Sequence, residues 1–206
     1  MSAPRRSTIF AFPAELHAVE YPAPGDPALA ADLAQRLSAF DARTDDSWGY
    51  DHGNWSVLKW MYPAADVPLI QLSLDARRTP QQHYEIGRAL GGVRDDNVLV
   101  VATGNIVHNL RAFFSGDRSQ EAVAKSFDAF IVERIAAGDH QAVIDYRDHP
   151  AAAQAAPDWD HFIPLLYALG ARGEGEPVEF FNRDVATGIS MTSIAMGVSP
   201  AVGLAR

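Results

Sequence analysis

Apolar residues recur every three or four positions along several stretches of the chain, and each such stretch predicts an amphipathic helix. The first of these helices is predicted from about residue 27 to residue 40, with Leu29 and Leu33 on one face. Asp26 and Pro27 suit its start, because an aspartate caps free backbone N–H groups and a proline fits the first helical position. The same pattern predicts further helices over residues 79–90, 119–137, 140–147 and 161–169.

Short runs of apolar and β-branched residues separate these helices and predict strands. Residues 68–74 and 97–102 are typical of strands that are covered on both faces, and 177–181 and 189–196 are predicted to be closing strands. Strands that alternate with helices indicate an α/β fold with a mainly parallel sheet and helices on both faces. We predict one domain over residues 1–206. Ligands of such folds bind at the carboxyl ends of the strands, which directs attention to the loop after residue 102.

Composition and charge exclude several classes of function. The chain has 17 Lys and Arg residues against 26 Asp and Glu, a net charge of -9, so we expect no nucleic-acid or anionic-membrane partner. It has no cysteine, which excludes disulfides, thiolate metal sites and a cysteine nucleophile. No apolar stretch has the length that a membrane span needs. Cytoplasmic residence is therefore the default prediction.

His108 is the first candidate for chemistry, in the segment Gly104-Asn-Ile-Val-His108-Asn that follows a predicted strand. A histidine in this place can act as a general acid or base near neutral pH, or as a metal ligand. A helix-capping or hydrogen-bonded core histidine is an equally good interpretation of the residues alone.

Two further histidines stand beside carboxylates. His52 lies in a predicted loop with Trp55 and other aromatic residues, which suits a flat aromatic substrate, although a surface turn is the simpler interpretation. His161 is predicted at the start of an apolar helix, where the helix dipole favours a neutral, ligating imidazole; Asp158 or Asp160 could equally be there as helix caps. The other histidines are predicted to be solvated: His17, His83, His140 and His149.

No nucleophile elbow, His-Glu-x-x-His motif or nucleotide-binding glycine loop is present in the sequence. Several other segments form a pattern when they are taken together and in order: Tyr21-Pro-Ala-Pro-Gly-Asp26-Pro, Trp48-Gly-Tyr-Asp51-His52-Gly-Asn-Trp55, Met61-Tyr-Pro-Ala-Ala-Asp66-Val-Pro68, Gln71-Leu-Ser73, Gly104-Asn-Ile-Val-His108-Asn-Leu, His161-Phe-Ile-Pro-Leu-Leu166, Phe180-Phe-Asn182 and Ser190-Met191. Together they resemble the LigB-type extradiol ring-cleavage dioxygenases, and most closely their DOPA 4,5-dioxygenase-like subgroup.

The resemblance implies a reaction and a set of roles. It implies an α/β fold with one non-haem Fe(II), which zinc can replace in the isolated protein, and insertion of both atoms of O2 beside the hydroxyls of a DOPA-like catechol. By position, His161 would be a metal ligand, and His108 an acid/base or a further metal ligand. His52 would be an active-site histidine that contacts the substrate, with Trp55 and Asn109 beside it.

The sequence also departs from the family pattern. A Gly-His-Gly-Ser/Ala-Pro motif and a Ser-Ala-His-Trp motif, which precede the matching region in the family, do not occur in this chain. We therefore expect the first βα units of the family fold, and two of its metal ligands, to be missing. Either the start site is misassigned or the chain is a natural truncation. In the second case the alternative function is an inactive homologue that acts as a binding or partner subunit, and an oligomer is possible.

A carboxylate on the substrate would need a cation. Arg77, Arg78 and Arg111 could each meet that carboxylate, although a solvated surface position is the common outcome for an arginine.

Overall fold

The structure, a computed structural model, describes residues 14–197. It divides into an N-terminal unit, Met1–Leu74, and a C-terminal unit, Asp75–Arg206, and the single domain that we predicted stays a prediction. The described part is helix-rich with two small sheets. Its α-helices are α1 (Ala14–His17), α2 (Pro27–Arg36), α3 (His52–Met61), α4 (Pro80–Leu90), α5 (Leu110–Ser115), α6 (Gln120–Ala136), α7 (His140–Ile144), α8 (Ala152–Ala155) and α9 (Pro164–Ala171).

The N-terminal unit confirms the predicted helix start at Asp26. The Asp26 side chain accepts a hydrogen bond from the backbone N–H of Leu29, and Pro27 occupies the first turn. The helix is shorter than predicted, because it ends at Arg36 and a 3₁₀ turn, Ser38–Phe40, follows. None of its described helices, nor any in the C-terminal unit, has the length and apolar character that a membrane span needs.

Helices α4 and α9 form the centre of the C-terminal unit. Thr79 and Gln82 form a reciprocal capping box at the start of α4, as a Thr-Pro start favours. Two glycines allow the helix backbones to approach closely: a Cβ on Gly87 would collide with the backbone of Tyr167, and a Cβ on Gly170 with that of Tyr84. This close packing fixes where α9, and the turn before it, lie.

The apolar stripe of α6 completes this core. Phe127, Ile131 and Ile135 are fully buried, and the ring of Phe127 lies 5.9 Å from that of Phe162, in the turn before α9. Because fully buried side chains of this size are held by close packing, the turn before α9 rests on a rigid base.

The two sheets of the described part are antiparallel strand pairs rather than a parallel sheet. Strand β1 (Val178–Phe181) pairs with β4 (Ser193–Met196), and β2 (Val185–Ala186) pairs with β3 (Ile189–Ser190). The closing strands were thus predicted correctly, but the mainly parallel sheet is not confirmed.

The two segments predicted to be buried strands have no ladder partners among residues 14–197. Residues 68–74 and 97–102 contain no assigned strand, and Leu99 is 62% exposed. Apolar, β-branched composition predicted strands here, but a strand also needs a neighbouring backbone to accept and donate hydrogen bonds. These two strand predictions are therefore wrong for the described part of the chain.

Candidate active site

His108 and His161 come together in the C-terminal unit, face to face. Their ring centroids are 3.5 Å apart and their planes differ by 7°. His108 lies just before α5, at an isolated antiparallel bridge to Ile189, and His161 lies in the turn before α9. His108 and His161 are 53 positions apart in the sequence, and both were candidate site residues.

The turn that carries His161 differs from the predicted helix start. Helix α9 begins only at Pro164, and residues 159–163 form a turn in which the backbone N–H groups of Phe162 and Ile163 donate to the carbonyl of Trp159. The helix dipole acts within the first turn of a helix, and His161 precedes that turn. The helix-dipole argument for a neutral His161 therefore does not apply.

The loop before His108 is joined directly to His161. The backbone N–H of Asn105 donates to the carbonyl of His161 at 2.9 Å. Gly104 has no space for a side chain, because an added Cβ would collide with the same carbonyl. A glycine is thus required at position 104 by a close backbone approach.

Asn109, the residue after His108, forms hydrogen bonds to three neighbouring segments. Its backbone N–H donates to Gly188 at 2.7 Å, and its side-chain Nδ2 donates to the carbonyl of Gln154 at 2.7 Å. Its Oδ1 accepts from the N–H of Ala112 and caps α5. Both polar atoms of the side chain thus have backbone partners, which any contact with a substrate would have to share.

The electrostatics of His108 favour a neutral imidazole. Burial lowers its pKa, and the neighbouring His161 lowers the pKa further, while Asp160 and Asp158 oppose these effects. The ring atom Nδ1 is buried and has no hydrogen-bond partner in the structure. A buried nitrogen without a partner is costly, and contact with a ligand atom would remove that cost.

The metal ion that the resemblance implies can be tested against this donor set. An imidazole nitrogen binds a metal in its ring plane at about 2.0–2.1 Å. An ion in the plane of one ring would lie about 3.5 Å from the other plane, so the stacked rings do not fit as two ligands of one ion. Within residues 14–197, no group of three or more His, Cys, Asp or Glu side chains is placed to hold a metal. The described residues alone therefore do not form a complete metal site.

The N-terminal unit carries the other predicted site residues, His52 and Trp55. His52 is the first residue of α3 rather than part of a loop, because Asp51 caps the helix by accepting from the N–H of Asn54. Trp55 is half-buried and packs against a cluster of Tyr21, Ala23 and Leu58. The roles predicted for both residues stay predictions.

The prediction that His83 is solvated is wrong. It is 1% exposed, its Nδ1 lies 2.8 Å from the hydroxyl of Tyr167, and its ring stacks on Trp159 at 6.1 Å. The sequence signal was present, because His83 shares the i, i+3, i+4, i+7 face of α4 with Ile86, Gly87 and Leu90.

The other histidines that were predicted to be solvated are partly buried where the structure describes them. His140 bonds the hydroxyl of Tyr84 at 2.8 Å, and His149 packs on Phe130. The side chain of His17 lies outside the described residues.

Sequence analysis also missed a buried pair that adjoins the site. The hydroxyl of Ser190 donates to Asp128 Oδ1 at 2.5 Å, and both residues are nearly inaccessible. The sequence feature that could have indicated this pair is Asp128, an acidic residue on the buried face of α6 next to Phe127.

Comparisons with known proteins show which family this chain is similar to. The family described as the catalytic LigB subunit of aromatic ring-opening dioxygenase matches residues 5–197. A 4,5-DOPA dioxygenase extradiol from Escherichia coli (strain K12) is 38% identical over 90% of this chain and 71% of its own length. One from Beta vulgaris is 34% identical over 86% of this chain and 68% of its own length.

A solved structure resembles the fold as well. The crystal structure of an uncharacterized Escherichia coli K12 protein has a TM-score of 0.79 and 38% identity, and the match covers 86% of this chain and 75% of that one. The chain therefore belongs to the LigB family of extradiol, aromatic ring-opening dioxygenases.

Proposed function

We propose that this protein opens the ring of a DOPA-like catechol by extradiol cleavage, with both atoms of O2 entering the product. The observation that carries the proposal is the stacked pair of His108 and His161, in which His108 presents a buried nitrogen without a partner. Family membership and relatives named 4,5-DOPA dioxygenase extradiol support the same reaction.

His108 is the proposed acid/base. A base must be unprotonated before it can accept a proton, and burial beside His161 keeps the pKa of His108 below its ordinary value. A neutral imidazole can take the proton of a catechol hydroxyl near neutral pH and return one later in the reaction. Because its loop is held by Ile189 on one side and Ala155 on the other, the ring needs little reorganisation.

The proposed cofactor is Fe(II), with zinc as an ion that isolated protein could carry instead. His161 is its proposed ligand, because the stacked geometry leaves at most one of the two imidazoles for a given ion. Ligands beyond the described residues would have to complete the site, since the described part holds no third donor beside this pair. No chemical step is assigned to the ion.

His52, Trp55 and Asn109 are the proposed substrate contacts. A half-buried Trp55 on a buried apolar cluster offers an aromatic surface of the kind that binds flat rings. Asn109 would contribute through its shared carboxamide, whose two atoms already bond Gln154 and Ala112.

Arg111 is the proposed contact for a substrate carboxylate. Of the three candidate arginines, Arg77 and Arg78 pair with Asp75 at 2.9 and 3.3 Å. Arg111 is exposed in the first turn of α5, three residues after His108, and has no ion pair with any residue the structure describes. An arginine in the helix that directly follows the proposed base is therefore available for a carboxylate.

A second candidate function is a binding or partner subunit without catalysis. The observation that favours it is the donor set of two stacked imidazoles, which does not form a metal site on its own. Such a protein would bind a catechol without consuming O2.

The test is anaerobic reconstitution of the 206-residue chain with Fe(II), followed by DOPA and then air. We expect uptake of one O2 for each DOPA consumed and a yellow semialdehyde product. His108→Ala is the matched variant and should lose about 10²- to 10⁴-fold in rate, the usual worth of a positioned acid/base. Catechol binding without O2 uptake would support the partner-subunit function, and full activity of His108→Ala would remove His108 from its role.

A further inference from the structure

We propose that Asn105 is a positioning residue that holds the imidazoles of His108 and His161 face to face. The proposal deepens the proposed function and rests on it, because it concerns the same pair of side chains. Asn105 touches neither ring in the contacts described above. Its effect is exerted through two backbone carbonyls, one on each neighbouring segment.

The two hydrogen bonds of Asn105 join three separate segments. Its backbone N–H donates to the carbonyl of His161 at 2.9 Å. Its side-chain Nδ2 donates to the carbonyl of Ser190, in β3, at 2.8 Å. Asn105 is itself three residues before His108, so it connects the His108 loop, the His161 turn and β3 at one point. A displacement of either histidine segment would stretch one of these bonds.

The acceptor on β3 is a firm anchor. Ser190 is 1% exposed, and its N–H donates to Val107, the neighbour of His108, at 3.1 Å. Its hydroxyl donates to Asp128 Oδ1 at 2.5 Å, and Asp128 is 3% exposed on α6. An amide that bonded a mobile surface carbonyl would position nothing. Here the acceptor is fixed to the longest helix of the C-terminal unit.

The stacked geometry itself requires such support. Aromatic rings prefer offset or edge-to-face arrangements to a face-to-face stack. The rings of His108 and His161 are nevertheless nearly parallel at 3.5 Å, which indicates that the backbone imposes the arrangement. The Asn105 side chain bonds the His108 loop to β3, its backbone N–H bonds the loop to the His161 turn, and Gly104 beside it allows the loop and the turn to approach closely.

The direct test is NMR of the imidazole ring protons in the full chain without added metal. Rings that stack shift each other's protons through their ring currents, so the wild-type protein should show displaced signals for His108 and His161. Asn105→Ala removes the side-chain donor. Asn105→Asp keeps the size of the side chain but replaces the donor with an acceptor, and it serves if the alanine variant does not fold. We expect both variants to lose most of the displacement.

Gln141→Ala is the matched control, because it removes a carboxamide that bonds Asp145 from an exposed position on α7. It should keep the wild-type ring-proton shifts, and all folded variants should keep the wild-type circular dichroism. Unchanged histidine signals in a folded Asn105 variant would overturn the proposal.

Kinetics separate this proposal from the proposed function. Misplacement of catalytic groups by about 1 Å can cost on the order of 100-fold in rate, so kcat of the Asn105 variants should fall about 10- to 100-fold with KM nearly unchanged. A larger change in KM than in kcat would contradict a positioning role. If the wild-type chain itself consumes no O2, the proposed function fails, whereas the NMR comparison still decides the role of Asn105.

Discussion

The imidazole of His108 lies face to face with that of His161, with 3.5 Å between the ring centroids and 7° between the planes. Two positive charges at this separation would repel, and the neighbouring His161 accordingly adds to burial in lowering the pKa of His108. The same geometry bears on the roles proposed for the two rings. Since the stacked rings do not fit as two ligands of one ion, at most one of them would ligate, and the proposed proton transfer would fall to the other.

The first prediction concerns Gly104, where the His108 loop meets His161. Gly104→Ala would force a Cβ into the carbonyl of His161, so one of the two segments must move. We expect a loss of about 1–3 kcal/mol in the free energy of unfolding, which is typical of overpacking, measured by urea denaturation. Ring opening should fall by more than this loss of stability explains, because the histidine stack is displaced.

Gly25→Ala is the control for the loss of a glycine, since nothing lies within 4 Å of a Cβ at that position. It should unfold within about 0.5 kcal/mol of the wild-type protein, as surface substitutions usually do. Equal effects of the two substitutions would show that space at Gly104 is not the cause.

The local elements of the fold could be predicted from the sequence, and the pairing of the strands could not. Caps and apolar periodicity act within one turn of a helix, so α4, α6 and the closing strands lie close to their predicted bounds. Residues 97–102 show the limit. Their composition predicts a strand, but a strand also needs a neighbouring strand to pair with, and which segment lies beside them depends on the whole fold.

The candidate site shows the same division. His108 and His161 were candidates from their residue type and from the family resemblance, but the stack of one ring on the other depends on distant segments. Asn105 and Ser190 act through backbone carbonyls, and no side-chain pattern in the sequence indicates such a role.

The second prediction concerns pH and His83. Burial lowers the pKa of His83, and Arg78 lowers it further, while Asp75 opposes them. In the window between this lowered pKa and the unfolded value of about 6.5, the unfolded chain binds a proton that the folded chain does not. The contribution of His83 to the free energy of unfolding is therefore fully present above about pH 6.5, and it is lost as the pH falls through that window.

His83→Phe should flatten this loss, because it removes the titrating group and keeps a ring against Trp159. The measurement is the free energy of unfolding at several pH values between about 4 and 8. Tyr167→Phe is the control: it removes the hydroxyl that contacts His83 Nδ1 but keeps the histidine, so the acid loss should remain. Parallel curves for wild type and His83→Phe would contradict the prediction.

The third prediction concerns Arg111 and the substrate carboxylate. Arg111→Gln should raise KM for DOPA about tenfold, since a charge-assisted hydrogen bond contributes roughly 1.5–3 kcal/mol and 1.4 kcal/mol is a factor of ten. KM for dopamine, which has the same ring but no carboxylate, should not change. Arg77→Gln is the control, because Arg77 is exposed and pairs with Asp75. An equal rise in KM for both substrates would show that Arg111 acts on the fold and not on the carboxylate.

The fourth prediction concerns iron and His161. The described donors are two stacked imidazoles, of which one can bind a given ion, and each ligand that a site lacks removes a large part of its coordination energy. After anaerobic loading and desalting, we therefore expect less than one Fe(II) for each 206-residue chain by elemental analysis. His161→Ala should lower the iron content further, whereas His149→Ala, which removes an imidazole packed on Phe130, should not. One tightly held ion for each wild-type chain would contradict the argument from the donor set. Unchanged iron in His161→Ala would show that another group binds it, and His161 would then act through the stack with His108 alone.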